Sequence, residues 1–315
     1  MRLYQRSYTG PPLAPKLSII TPSLNQGPFI ERAITSVLDQ GYENLEYVIV
    51  DGGSDDETVD VIRRYEDRID WWVSEPDEGQ TDAINKGLER VSGDVVAYLN
   101  SDDYYLPGAF DTAIGALERS GARWMSGASI EVDEEDRPLG AGEWIPRHPR
   151  EYEDLIKGRQ WWLLTCWCVP QPSSFWRRDV FEEFGPFRRD MHFAFDAEFM
   201  LRLAYAGALP ELVTERMSAR VTHAQQKSAD MEPFYEEIAR FREYFAPALT
   251  PRERRRMRAI DVLRGTGFFW LRRNVYYPLL RLGGRILDRV PDRVRPPIRH
   301  RDRGVTHSHK GPIQF

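Results

Sequence analysis

Cysteine is scarce in this chain of 315 residues, which contains only Cys166 and Cys168. Two residues apart on a strand, the two thiols would face the same way but lie too far apart for a disulfide. Two cysteines are also too few for a metal framework. We therefore expect both to be reduced side chains in the core of a cytoplasmic protein.

Long apolar runs are missing as well. No uninterrupted apolar stretch approaches the roughly 20 residues that a helix needs to cross a bilayer. Residues 1–15 are polar and rich in proline, without the apolar segment of a secretory signal. Both observations favour a cytoplasmic location.

Two common phosphate-binding signatures are also absent. No Gly-x-Gly-x-x-Gly motif follows the first predicted strand, which disfavours a dinucleotide-binding enzyme. No lysine follows a glycine-rich loop in the Walker arrangement, which disfavours an ATPase. A phosphate-bearing ligand would therefore have to be held in another way.

Acidic residues are few at the C-terminus. Residues 251–315 contain 17 lysines and arginines against 5 aspartates and glutamates, although the whole chain has a formal net charge of −6. A basic segment on an acidic body suggests contact with a membrane, a nucleic acid or the body itself. Residues 267–282 mix bulky apolar side chains with arginine, which favours an anionic membrane surface. No nucleic-acid fold signature accompanies the charge, so we expect no nucleic-acid partner.

Strand and helix patterns alternate over the first hundred residues. Strands are predicted at 17–20, 45–50, 69–73 and 94–99, and further along at 123–132, 137–145 and 211–220. Helices are predicted at 29–38, from about 54, and at 81–91, 195–206 and 232–245. The alternation indicates an α/β protein with a doubly wound, mostly parallel mixed sheet flanked by helices.

Polar loops follow the first four predicted strands. Carboxyl ends of parallel strands share one edge of the sheet, where ligands bind in such folds. The candidate residues at this edge are Thr21, Pro22, Ser23, Asn25, Asp51, Ser54, Asn100, Asp102 and Asp103. Acidic loops would hold a diphosphate through Mg²⁺ or Mn²⁺, and carboxylates can accept hydrogen bonds from a base and from sugar hydroxyls. The combination predicts a sugar nucleotide as the ligand.

The strongest signal at this edge is the pair Asp102 and Asp103, which follows an apolar run. Two neighbouring carboxylates are costly to hold together unless a cation lies between them. A solvated turn before a helix opened by Pro107 would also explain the pair. The other three loops favour the metal site over the turn.

Four segments in order carry a family pattern, namely residues 17–25, 48–56, 79–87 and 100–103. They resemble the family 2 glycosyltransferases of the GT-A fold. Residues 171–178, 184–187 and 195–203 look like the acceptor half of the same family. The resemblance covers about residues 16–225 and leaves the basic C-terminal segment unexplained.

The resemblance implies donor-binding roles. Thr21 and Asp51 would contact the nucleobase, most often uracil in this family, and Asp102 would contact the ribose. Asp103 would be the metal ligand of the Asp-x-Asp type motif. Asp82 lies where the family contacts the donor.

The resemblance also implies a catalytic base. Asp196 matches the residue that deprotonates the acceptor hydroxyl in an inverting single displacement. Partial burial beside Phe193 and Phe195 would raise the Asp196 pKa towards a useful range. The alternative is a plain helix cap.

Several other residues are open to two interpretations. His223 stands where related sequences often have a histidine that reaches the metal or the diphosphate, but a lone histidine is as often structural. Lys86 and Lys227 could each meet a phosphate or simply be exposed. Aromatic residues stack on sugars and also fill cores. The acceptor candidates are Trp167, Gln171 and Ser173.

The sequence thus predicts a metal-dependent inverting glycosyltransferase. It would move a sugar from a nucleotide-diphosphate donor, expected to be a UDP-sugar, to a saccharide or lipid-linked acceptor in cell-envelope polysaccharide synthesis. The predicted organisation is a GT-A domain at 1–225 (nucleotide-binding half 16–105, acceptor half 106–225), a helical extension at 226–295, basic from 251, and a disordered tail at 296–315. The extension would bring the protein to the inner face of the membrane.

Two alternatives remain at this point. A sugar-1-phosphate nucleotidyltransferase is expected to have a glycine-rich loop with a lysine or arginine after the first strand. Residues 23–29 contain one glycine and no lysine or arginine. A GT-A protein that binds carbohydrate without catalysis would tolerate the loss of Asp103 and Asp196.

Overall fold

The structure is a computed structural model, and it describes residues 14–144, 169–227 and 232–245, together with 251 and 255. The predictions for Cys166, Cys168 and Trp167 lie outside these residues. So do those for the aromatic-arginine segment at 267–282 and the tail at 296–315.

Nine strands are described, and together they form a single sheet. They are β1 (Leu17–Ser23), β2 (Leu45–Asp51), β3 (Trp71–Ser74), β4 (Val95–Tyr98), β5 (Tyr104–Tyr105), β6 (Trp124–Val132), β7 (Pro138–Trp144), β8 (Ser174–Arg177) and β9 (Glu211–Val221). The helices of the described residues are α1 (Gly27–Leu38), α2 (Thr58–Arg64), α3 (Gln80–Arg90), α4 (Ala109–Ser120), α5 (Arg178–Phe184), α6 (Phe195–Tyr205) and α7 (Glu232–Phe245).

The sheet has the strand order β3-β2-β1-β4-β8-β6-β9-β5, with β7 paired to β6. The first four strands in this order are parallel. In the other half β8 is antiparallel to both of its neighbours, whereas β6 and β9 are parallel. The α/β fold with a mixed sheet is confirmed, and the parallel arrangement is confined mainly to the first hundred residues.

The register of the parallel strands aligns their carboxyl ends. Ser23 of β1 lies opposite Asp51 of β2, and Ile20 lies opposite Tyr98 of β4. Because every residue of β1 is buried, this strand is covered on both faces, as central parallel strands are. The loops after β1, β2 and β4 therefore leave the sheet side by side.

A hydrophobic core supports this edge of the sheet. Buried apolar residues of α1, α4 and the central strands pack together, including Ile30, Ile34 and Phe110. In α1 they recur at helical spacing, and Pro28 occupies the first turn, where its missing N–H costs nothing. Burial of these faces fixes the helices that follow the polar loops.

The C-terminal part of the described chain is helix α7. Its residues through Tyr244 belong to the same compact unit as the sheet. The predicted boundary at residue 225 stays a prediction. Among the described residues, none of the helices has the length and apolar character that crossing a membrane would require.

Candidate active site

Asp51 ends β2 and organises the turn that follows it. Its buried carboxylate accepts four hydrogen bonds, from the backbone N–H groups of Gly53 and Ser54 and from the hydroxyls of Ser54 and Ser74, at 2.5–3.1 Å. Gly53 has a φ of +86°, which favours glycine. The predicted nucleobase contact thus also fixes the loop around it.

The loop after β1 is joined to this turn. The Ser54 hydroxyl accepts a hydrogen bond from the backbone N–H of Asn25 at 2.7 Å, and the Asn25 side chain accepts one from the backbone of Asp55. Thr21 is buried and hydrogen-bonds the hydroxyl of Tyr47 at 3.0 Å. The predicted residues Pro22 and Ser23, which lie beside Thr21 in β1, are buried too. The structure thus brings the two loops together.

Asp102 and Asp103 follow β4 and differ in their surroundings. Asp103 is 3% exposed and accepts a hydrogen bond from the backbone N–H of Val221, at the end of β9. Burial, together with the neighbouring charge of Asp102, raises the pKa of Asp103 well above its ordinary value, while Arg220 acts in the opposite direction. The Asp102 side chain keeps more exposure, 20%. A cation at this point would relieve the repulsion between the two carboxylates.

His223 lies beside Asp102. Its Nε2 is 3.2 Å from Asp102 Oδ2, and its ring is 4.2 Å from that of Phe29. The buried Nδ1 of His223 has no hydrogen-bond partner among the described residues. An imidazole nitrogen and two carboxylates are suitable donors for Mn²⁺ or Mg²⁺.

These three side chains do not by themselves form a complete ligand set. Within the described part of the chain, no three His, Cys, Asp or Glu side chains converge closely enough to hold a metal ion. The donor chemistry nevertheless fits a divalent cation that takes its remaining ligands from a bound phosphate or from water.

Asp196 lies in the first turn of α6, within the predicted acceptor half. It is 8% exposed, and its Oδ1 accepts a hydrogen bond from the backbone N–H of Ala197 at 2.7 Å. Burial raises the pKa of Asp196 to about 7, and the charge of Glu237 adds to this, while Lys227 opposes it. A carboxylate with such a pKa can accept a proton near neutral pH.

A chain of hydrogen bonds joins the Asp103 side of the site to the loop before Asp196. The Asn100 side chain hydrogen-bonds Asp103 and accepts a hydrogen bond from Gln80 Nε2 at 2.7 Å. Gln80 Oε1 in turn accepts one from Lys227 Nζ at 3.0 Å. Lys227 also donates to the backbone carbonyl of His192. Segments far apart in the sequence, from α3 to the residues after β9, therefore contribute to one polar site.

Tyr98 is a second link between the two sides. It is buried at the end of β4, and its ring is 6.0 Å from that of Phe195. Burial and then the charges of Asp196 and Asp103 raise the Tyr98 pKa. Because both carboxylates act on the same phenol, they lie in a common electrostatic environment.

Lys227 occupies a special position in this site. Its ammonium nitrogen is 5.0 Å from the ring centroid of Phe193 and 5.8 Å from that of Phe195. The residue as a whole is exposed, but removal of the ammonium end from water lowers the Lys227 pKa. The sequence alone left open whether Lys227 is simply a surface residue, and the structure places it within the site.

Polar side chains of α3 hydrogen-bond the segment that precedes α6. Thr81 donates to the backbone carbonyl of Met191 at 2.8 Å, and Asn85 exchanges two hydrogen bonds with the backbone of Phe187. Asp82 pairs with Arg189 at 2.9 Å. The predicted role of Asp82 as a donor contact stays a prediction, and in the described structure this carboxylate anchors the loop that leads to Asp196.

Lys86 lies one turn further along α3. Its ammonium group is 3.0 Å from Glu75 and 3.6 Å from Asp82. The hydrogen bond to Glu75 raises the pKa of Lys86. A phosphate would have to compete with these two carboxylates for Lys86.

The acceptor candidates Gln171 and Ser173 are both buried. Gln171 donates to the backbone carbonyl of Tyr98 at 2.8 Å, and Ser173 donates to that of Ala128 at 2.9 Å. Both side chains thus make hydrogen bonds within the protein, and their predicted acceptor role stays a prediction. Trp167 lies outside the described residues.

Comparison with known proteins decides the family. The sequence profile described as Glycosyl transferase family 2 matches residues 18–185, more than half of the chain. This protein belongs to glycosyltransferase family 2. The resemblance drawn from the sequence motifs is thereby confirmed, and the protein is a glycosyltransferase.

Individual relatives agree. An uncharacterized glycosyltransferase of Mycobacterium tuberculosis is 32% identical over 196 residues, which cover 61% of this chain and 70% of the relative. The GalNAc(5)-diNAcBac-PP-undecaprenol beta-1,3-glucosyltransferase of Campylobacter jejuni is 32% identical over 123 residues, 38% of this chain and 40% of that enzyme.

Solved structures support the fold. The structure of S. aureus TarS 1–349 matches with a TM-score of 0.54 and 20% identity, over 72% of this chain and 65% of that one. The same fragment in complex with UDP-GlcNAc also has a TM-score of 0.54, at 18% identity. These likenesses confirm the GT-A fold.

Sequence reasoning missed three contributors to the site. Gln80 lies inside the segment 79–87 but is not among the predicted site residues, whereas Asp82 and Lys86 of the same segment are. Arg189 and Glu237 carry no local signal, because each is one charged residue among many in its segment. Only their partners, Asp82 and the backbone before α6, show what they do.

Proposed function

We propose that this glycosyltransferase moves a sugar from a nucleotide-diphosphate donor, a UDP-sugar by expectation, to a saccharide or lipid-linked acceptor with inversion. The observation that carries the proposal is the buried Asp196 with its pKa near 7, which follows a loop that a chain of hydrogen bonds joins to Asn100 and Asp103. One group suited to take a proton thus shares a site with acidic residues suited to hold a metal.

In the proposed step, Asp196 accepts the proton of the acceptor hydroxyl as that oxygen forms a bond to the anomeric carbon. The bond between the anomeric carbon and the diphosphate breaks on the opposite face, and the nucleoside diphosphate leaves with the electron pair. Lys227, whose ammonium group lies between the two sides, adds positive charge near the departing group.

Asp103 is the proposed ligand of Mg²⁺ or Mn²⁺, with His223 as a second candidate beside it. The bound cation would neutralise charge on the leaving diphosphate. Support comes from the buried Asp103 beside the partly exposed Asp102, whose repulsion a cation would relieve, and from the buried Nδ1 of His223, which has no hydrogen-bond partner among the described residues.

The donor and acceptor classes rest on the relatives. TarS binds UDP and UDP-GlcNAc, and the Campylobacter jejuni relative is named for an undecaprenol-linked acceptor. We therefore propose a UDP-sugar donor and an acceptor of the cell envelope. Contact of the basic segment beyond residue 251 with the inner face of the membrane would bring a lipid-linked acceptor to the site.

Thermal unfolding with a panel of nucleotide sugars, with and without Mn²⁺, tests this function. A bound donor raises the unfolding temperature by mass action, so a UDP-sugar plus Mn²⁺ should raise it more than either alone. Asp103→Asn should remove the Mn²⁺-dependent part of the shift, whereas Asp111→Asn, at an exposed position on α4, should keep it. Equal shifts for both variants would refute the assignment of Asp103.

A further inference from the structure

Glu237 is a buried carboxylate on α7, beyond the part of the chain that matches the family profile. Its oxygens accept three hydrogen bonds from consecutive backbone N–H groups: His192 at 2.7 Å, Phe193 at 2.8 Å and Ala194 at 2.8 Å. Ala194 is the residue that caps α6, two positions before Asp196. One side chain from a distant helix thus satisfies the backbone that presents the proposed base.

Packing holds α7 against this segment. Phe234 and Ile238 of α7 form a cluster with Ala194, and Phe193 and Ala197 pack against it. Glu237 projects from the same stretch of α7, between these two apolar residues. An acceptor with two oxygens at this point suits the donors that a helix N-terminus leaves without partners.

A second charged side chain binds the segment 192–194. Lys227 donates to the carbonyl of His192, whose N–H is bound by Glu237. The charged groups that act on Asp196 are Lys227, from the segment after β9, and Glu237, from α7. Arg240 lies 3.7 Å from Glu237. On α6 itself, Glu198 is paired with Arg202.

We propose that Glu237 is a positioning residue for Asp196, which fixes residues 192–194 and adds negative charge beside the base. The inference rests on the proposed role of Asp196 as base. Glu237 contacts neither donor nor acceptor in the proposed arrangement. It acts on Asp196 through the backbone of residues 192–194 and through its negative charge. Its negative charge raises the Asp196 pKa.

The test compares Glu237→Gln, Glu237→Asp and the control Glu236→Gln in the full chain, since Glu236 is an exposed neighbour on α7. Glutamine keeps the length but replaces one acceptor oxygen with an N–H₂ donor. Hydrogen exchange of the amides of residues 192–194 should become at least about tenfold faster in Glu237→Gln, and should stay unchanged in Glu236→Gln. Unchanged protection in Glu237→Gln would overturn the proposal.

A second readout separates positioning from plain structural support. The titration of Asp196, taken from the pH dependence of unfolding relative to the same background carrying Asp196→Asn, should move to lower pH in Glu237→Gln. It should stay near its original pH in Glu237→Asp, which keeps the charge. A titration that moves equally in both variants, or in neither, contradicts the charge role.

Neither readout needs a substrate, so the inference can fail separately from the proposed function. If Asp196→Asn keeps full transfer activity, Asp196 is not the base and the proposed function fails, whatever the exchange data show. If Asp196→Asn is inactive but Glu237→Gln behaves as the parent chain in exchange and titration, only the positioning role is lost.

Discussion

The Nε2 atom of His223 lies 3.2 Å from Oδ2 of Asp102, which precedes it by 121 residues in the chain. The family resemblance suggested that His223 reaches the metal or the diphosphate, and Asp103 was the residue expected to hold the metal. In the described structure the imidazole of His223 contacts Asp102, the neighbour of Asp103. A histidine paired in this way can orient Asp102 and still offer its free Nδ1 to a ligand.

His223→Ala should therefore weaken Mn²⁺ binding in the presence of UDP by about 10- to 100-fold, the range found when a hydrogen-bond partner that orients a metal site is lost. Calorimetric titration of Mn²⁺ into the protein with saturating UDP measures this. Binding of UDP in the absence of metal serves as the internal control and should change little. Mn²⁺ affinity equal to that of the parent chain would show that His223 is structural.

Asp196→Asn should lower the rate of sugar transfer by about 10²- to 10⁴-fold, because the amide cannot accept the acceptor proton. Donor binding should survive, since Asp196 lies on the acceptor side of the hydrogen-bonded chain. Rates of UDP release and a parallel binding titration provide the two measurements. Asp190→Asn is the matched control, because Asp190 is exposed and its carboxylate is paired with Arg188. Loss of binding together with transfer would indicate that Asp196 is structural.

Transfer activity should rise with pH through about 7, since the base must be ionised and burial holds its pKa near that value. Stability should respond in the opposite direction. A carboxyl whose pKa is raised in the folded state favours folding below its unfolded pKa of about 4, and this contribution is lost as the pH rises to about 7. The Asp196→Asn variant should not show this loss of folding stability with rising pH.

The corresponding measurement is urea unfolding of the parent chain and of Asp196→Asn at several pH values. The difference in unfolding free energy between them should grow in favour of the variant from about pH 4 to pH 7, by about 4 kcal/mol, and then level off. A difference that is constant with pH would mean that the Asp196 pKa is not raised.

The basic segment should bring the chain to anionic lipid. Flotation with phosphatidylserine-containing vesicles should recover the intact chain, whereas a chain that ends at Thr250 should stay at the bottom of the gradient. The shortened chain keeps the whole compact unit that ends at Tyr244, so its fold provides a control. Neutral phosphatidylcholine vesicles should retain neither. Equal flotation of both chains would contradict a membrane role for the segment.

Much of the site could be read from local pattern. Asp51, Asp102 and Asp103 each follow a short apolar run, and parallel strands carry such residues to a common edge by geometry alone. The register confirms this, since Ser23 lies opposite Asp51 and Ile20 opposite Tyr98. These positions could be predicted without knowing which distant residues are in contact in the folded chain.

Other parts could not be read in this way. The motif position of Asp82 predicts a donor contact, whereas its ion pair with Arg189, more than a hundred residues away in the chain, has no sequence signal. Ser173 is a predicted acceptor residue, and its described hydrogen-bond partners are Ala128 and Ser218. In each case the partner lies on another element, and no periodicity or spacing identifies it.

The sequence by itself determined the family, the α/β fold and the identity of the acidic residues at the sheet edge, because strand ends, turn residues and apolar periodicity are local properties. The tertiary structure decided which polar groups meet. It brought His223 to Asp102, Lys227 to Gln80, and Glu237 to the backbone before Asp196. The physical reason is that burial and charge act through space, so the raised pKa of Asp196 depends on segments that the chain brings together only when it folds.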